Sequence, residues 1–147
     1  MERKAIDETR NSFCNDGTDA LLVCFCAGRG SERRAAEQAA QTWLAVVDQG
    51  NYGQSWDWAA TFFKSHVSRE NWEPMVKQVR GQVGKAGKRE VASSTYQTEL
   101  PNVPKGEYVV IQYKTKFGAG TMAETVVPML DADGKWRVSG YFVRPAN

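Results

Sequence analysis

From residue 31 onward the apolar positions recur at intervals of three and four. In "SERRAAEQAAQTWLAVVDQG", Ala36, Ala39, Ala40, Trp43, Leu44 and Val47 fall on one stripe. This spacing predicts an amphipathic helix, with Ser31 placed to cap its start and Gly50 to end it. The large apolar bulk sits at Trp43, Leu44, Val46 and Val47, so the second half of the helix is the part expected to dock most firmly. A second, shorter helix is predicted over "NYGQSWDWAATFFKSHVS", where Tyr52, Trp56, Ala59, Ala60 and Phe63 share the inward side. A third runs from the Ser68 to Asn71 region through Val83, with Trp72, Met75, Val76, Val79 and Val83 inward. Pro74 is tolerable only in a first turn, which moves the expected regular start towards Asn71.

After "GQVGKAGK" the period changes to two. "REVASSTYQTEL", "GEYVVIQYKTKF", "TMAETVVPML" and "KWRVSGYFVR" are rich in β-branched and aromatic residues, and "PNVPK", "GAG" and "DADG" separate them. Connections this short join antiparallel neighbours. The predicted fold class is therefore α+β: three N-terminal helices packed on a curved four-stranded antiparallel meander. In the second strand Val109, Ile111, Tyr113, Thr115 and Phe117 share the face turned to the helices, while Tyr108, Val110, Gln112, Lys114 and Lys116 share the other. The third strand is apolar on both faces, through Val126 with Leu130 and through Val127 with Met129, and so calls for cover on both, from the chain itself or from a second copy. Pro128 predicts a bulge or an edge there, and Gly140 a bend or bulge in the last strand.

The chain of 147 residues is long enough for one domain with a real core. Residues 1–30 carry no sustained period and are expected to form a poorly ordered extension or an atypical signal-like segment ahead of a single domain at 31–147. Within that segment "ALLVCFCAG" has the length and small residues of a signal's end, but Asp16 and Asp19 stand where a signal needs positive charge. No apolar stretch approaches the roughly 20 residues that span a bilayer, so no membrane span is expected. A net charge of +2 is too balanced to imply nucleic acid as a partner. The one basic run, Lys77, Arg80, Lys85, Lys88 and Arg89, is read as a solvated helix end and loop, where cations suit the helix dipole. Cys14, Cys24 and Cys26 match no zinc spacing, and no metal or other cofactor is expected.

Candidate chemistry is sparse. His66 is the only imidazole and has no carboxylate at helical spacing on an inward stripe, which reads as a structural or exposed residue. Glu124 stands on one face with Met122 and Val126, and is either a buried acid with a raised pKa or an edge charge that blocks strand addition. Tyr96, Tyr113 and Tyr141 are candidates to line the same concavity and donate hydrogen bonds to a ligand. Of five tryptophans, Trp43, Trp56, Trp72 and Trp136 fall at inward positions. Trp58, two residues after Trp56, points elsewhere and is a candidate to meet a ligand or partner. Phosphate loops and nucleophile elbows are absent.

Three stretches, "GEYVVIQY", "ETVVPML" and "DGKWRVSGY", carry the most specific part of a likeness that spans about residues 35–144. The chain resembles the bacterial family called domain of unknown function 4019. More loosely, helices followed by an antiparallel sheet are similar to the cystatin-like and nuclear-transport-factor-2-like superfold. The family resemblance implies a small bacterial protein, periplasmic or secreted, with no assigned activity and no functional residues to carry over. From the residues, the leading expectation is a non-enzymatic module that binds a small ligand or a protein. The alternative is a small pocket enzyme with Glu124 as base for proton transfer or hydrolysis, and a homodimer through the sheet is a third expectation.

Overall fold

The structure, a computed structural model, describes residues 20–147, with side chains from residue 28. Residues 1–19, most of the expected extension, lie outside the described residues. Four helices, one more than expected, precede four strands: α1 (Ala20–Asp48), α2 (Tyr52–Asp57), α3 (Thr61–His66), α4 (Arg69–Val83), β1 (Ala86–Gln97), β2 (Tyr108–Phe117), β3 (Gly120–Leu130) and β4 (Trp136–Pro145). The sheet is antiparallel throughout with strand order β1-β2-β3-β4, as the short connections require. None of the described helices is long and apolar enough to cross a membrane.

One helix boundary differs from the sequence expectation, and a second is refined. Ser31 does not cap α1, which already runs from Ala20; its hydroxyl instead donates to the Gly28 carbonyl at 2.7 Å, inside the helix. The end is as expected, with Gly50 at φ 80° and its N–H on the Val47 carbonyl. α4 starts at Arg69, within the expected Ser68 to Asn71 region but at its early end and not nearer Asn71 as Pro74 suggested, because Ser68 accepts from the Asn71 N–H and fixes the first turn. Pro74 then falls in the second turn on the exposed side, where the Glu70 carbonyl that lacks its donor faces water.

The predicted second helix is two. Ala59 and Ala60 are buried between α2 and α3, and the Ala60 N–H leaves helical pairing to donate to the Val138 carbonyl of β4 at 2.8 Å. α3 restarts at Thr61, whose N–H and hydroxyl both donate to Asp131 of the β3–β4 turn. Ser55 fastens the same corner: Trp43 Nε1 donates to its carbonyl at 2.8 Å and Trp72 Nε1 to its hydroxyl at 2.9 Å.

The core forms where α1 and α4 lie on the inner face of the sheet. Ala36, Ala40, Trp43, Leu44 and Val47 of α1 and Trp72 and Val76 of α4 meet Val109, Ile111, Tyr113, Val126 and Val138. Met75, expected inward, is 48% exposed; it lies on the flank of α4, where it lines a cavity of about 230 Å³ against Phe142 and Val143 of β4. β3 is an interior strand, so Pro128 marks a bulge and not an edge: the register shifts between Val127 and Pro128, which leaves Ser139 unpaired beside Gly140. Val126 and Pro128 are buried on the inner face, and Val127 and Met129 are half-buried on the outer. Tyr108 belongs to the outer face but is buried, its hydroxyl donating to the Pro104 carbonyl at 2.6 Å.

Candidate functional site

Glu124 is 0% exposed at the centre of the inner sheet face. It is not an edge charge, because β3 is paired on both sides. Burying a carboxylate alone is prohibitive, so its oxygens must be met by donors. Four groups meet them: Arg89 Nε at 2.6 Å and Nη2 at 3.1 Å, Tyr141 Oη at 2.7 Å and Thr115 Oγ1 at 2.8 Å. Arg80 stands 3.7 Å away and donates to Tyr141 and, at 2.6 Å, to Asp48. Arg89 also forks onto Asp48, so two guanidinium groups and two carboxylates form one balanced cluster.

The basic run thus divides. Lys77, Lys85 and Lys88 are exposed, but Arg80 is 7% exposed and Arg89 is drawn under α1, contrary to the reading of a wholly solvated run. Burial alone would raise the Asp48 carboxyl; the hydrogen bonds and charges of Arg89 and Arg80 outweigh it and hold Asp48 below the ordinary carboxylate value. Burial works against the Arg89 charge too, and the two carboxylates overcome it, raising its pKa. Tyr141 is raised by burial and then by the Glu124 charge.

Tyr113 and Tyr141 share the inner face, but only Tyr141 bonds to Glu124. The Tyr113 hydroxyl is buried without a hydrogen-bond partner, and burial pushes it up to about 12. A cavity of about 240 Å³ lies beside it between α1 and the β1 edge, lined also by Gln41, Leu44, Asp48, Arg89 and Val91. Glu124 does not line that cavity. Tyr96, further along β1, donates to Glu107, which pushes its own hydroxyl up to about 12. His66 is exposed, with Nδ1 2.9 Å from the Phe62 carbonyl oxygen.

Another concavity lies away from the charge cluster. A groove of about 660 Å³ separates α1 from the end of α2 and the β3–β4 turn, and Trp43, Trp58 and Trp136 all line it. Trp43 is a core residue showing an edge, and Trp136 is half-buried with its Nε1 on Glu32 at 2.9 Å. Trp58 ends α2, is 45% exposed and has no hydrogen-bond partner for its indole N–H among the described residues. Gln38, Thr42, Asp57, Lys135 and Arg137 supply the polar part of the lining. The sequence singled out Trp58; it gave no sign of the groove, which depends on the hairpin folding back against α1. Among the described residues no three His, Cys, Asp or Glu side chains gather as metal ligands would.

Residues 39–141, from the middle of α1 into β4, match the model of a family described as Protein of unknown function (DUF4019). No curated protein matches the chain.

Proposed function

Taking as premise that the chain belongs to the domain of unknown function 4019 family, we propose that it is a non-enzymatic module that binds a small ligand in the tryptophan-lined groove. The observation that carries this reading is Trp58: a large indole left 45% exposed, its N–H unpartnered among the described residues, on the wall of that groove. A groove of about 660 Å³ is of the size that holds small molecules. The likeness to the cystatin-like and nuclear-transport-factor-2-like superfold belongs to the same reading and adds no activity to it.

The enzymatic alternative gives Glu124 the role of base. A base needs a free lone pair within reach of a substrate proton. Glu124 accepts from Arg89, Tyr141 and Thr115 and has no exposed surface, which supports a structural role for it.

Fluorine NMR of protein carrying 5-fluorotryptophan, titrated with a small-molecule library, tests the proposal. The expected result is a set of hits that shift the Trp58 resonance, identified by its loss in Trp58→Phe. Hits that shift only Trp56 or Trp72 would place binding elsewhere and overturn the reading, as would a turnover that Glu124→Gln abolishes in a folded protein.

A further inference from the structure

The cavity of about 240 Å³ lies on a different stripe of α1 from the groove: Leu44, Ala45 and Asp48 line it together with Arg89, Val91 and Tyr113. Buried polar side-chain atoms ordinarily find partners, and here the exceptions gather at one place. Among the described residues two such atoms have no hydrogen-bond partner, Tyr113 Oη and Ser94 Oγ. The register sets Val91 opposite Tyr113 and Ser94 opposite Ile111. Ile111 and Tyr113 are two apart in β2, so both hydroxyls stand on adjacent rungs of the inner face. Tyr113 is 3% exposed and itself lines the cavity. A buried donor left without an acceptor carries the full cost of its desolvation, and a guest that accepts from it removes that cost.

The lining defines the chemistry of the guest. Leu44, Ala45 and Val91 supply an apolar wall, of which Val91 is 54% exposed at the edge strand. Tyr113 supplies the donor, which burial keeps protonated. Asp48 supplies an acceptor: Oδ1 takes N–H groups from both Arg80 and Arg89, whereas Oδ2 takes one, from Arg89, and has capacity for another. A hydroxyl group both accepts and donates, which suits a lining that offers one of each. Charge is already closed, because Arg80 and Arg89 balance Asp48 and Glu124, and Glu37, the other carboxylate acting on Tyr113, is paired with Arg33. An ionic guest would add a charge that nothing in the lining answers. The volume is below that of pockets for drug-sized ligands, so the guest is small. We propose that this cavity is a second binding site, for a small neutral alcohol or phenol whose hydroxyl meets Tyr113 and whose apolar body rests on Leu44 and Val91.

Methyl NMR of the full chain titrated with benzyl alcohol tests this, with benzoate and benzylammonium as charged controls of the same frame. Benzyl alcohol is expected to shift the Leu44 and Val91 methyl resonances, and the two ions to leave them in place at the same concentration. Tyr113→Phe is expected to weaken benzyl alcohol about fivefold, the scale of one hydrogen bond. The same variant is expected to raise the urea midpoint of the free protein, since the hydroxyl has no partner to lose; a lowered midpoint would give that hydroxyl a structural role and overturn the proposal. Val91→Thr, at an exposed position that keeps the fold, is expected to weaken the alcohol about threefold through the lost apolar contact, read at Leu44. Unmoved Leu44 and Val91 methyls, equal shifts from the charged controls, or unchanged affinity in Tyr113→Phe would each overturn the second site. A benzyl alcohol shift confined to Trp58 would overturn it as well, and would leave the groove standing.

Discussion

Glu124 illustrates how one residue's role is decided by what is brought to it. Between Met122 and Val126 it reads as an acid on an apolar face, and so it is. What the strand does not reveal is that Arg89, Tyr141 and Thr115 converge on its two oxygens. Glu124→Gln keeps the shape and removes the charge, leaving Arg80 and Arg89 to share Asp48. Breaking a buried pair in this way costs about 3–5 kcal/mol, to be read as a lowered urea midpoint. Asp48 adds a pH dependence whose sign follows from its lowered folded value. Its contribution is complete above the ordinary carboxylate value and is lost as pH falls through the folded one. The urea midpoint is therefore expected to decline below about pH 4, and Asp48→Asn to flatten that decline. These partners carried a faint signal in the sequence: Arg80 is four residues after Val76 and Asp48 four after Leu44, each on its helix's inward stripe.

At the scale of elements, periodicity located the strands well because each is bounded by turn residues and paired with its chain neighbour. It failed where a distant group intervenes. The break between α2 and α3 exists because the Val138 carbonyl takes the Ala60 N–H and Asp131 takes the Thr61 N–H and hydroxyl. The partners lie 78 and 70 residues away in the chain, outside any local window. Asp131→Ala removes the start of α3 and frees Arg137 from one of its two carboxylates. The expected cost is about 1 kcal/mol, as for loss of a helix cap, and amide exchange should accelerate first at the N–H groups of α3. Ser68 shows the converse: its cap on Asn71 is local, so the start of α4 falls in the region from Ser68 to Asn71 that the sequence marks.

Over the whole molecule, the sheet and the two long helices enclose the charge cluster, and the β3–β4 hairpin folds back to wall the tryptophan groove. The α+β class, the antiparallel meander and the inward face of β2 followed from sequence alone, because the periods of two and of three to four are imposed by strand and helix geometry on the nearest residues. The exposure of Trp58 was legible for the same reason: residues two apart on a helix diverge. Tertiary structure alone decided that Arg89 turns inward to meet Glu124, since a guanidinium on a strand reads as solvated until a buried carboxylate is placed beside it. It alone decided, too, that Trp43, Trp58 and Trp136 line one groove, because the three are joined only when the hairpin returns to α1. Local pattern fixes which side of an element faces in; what that side meets depends on how the elements come together.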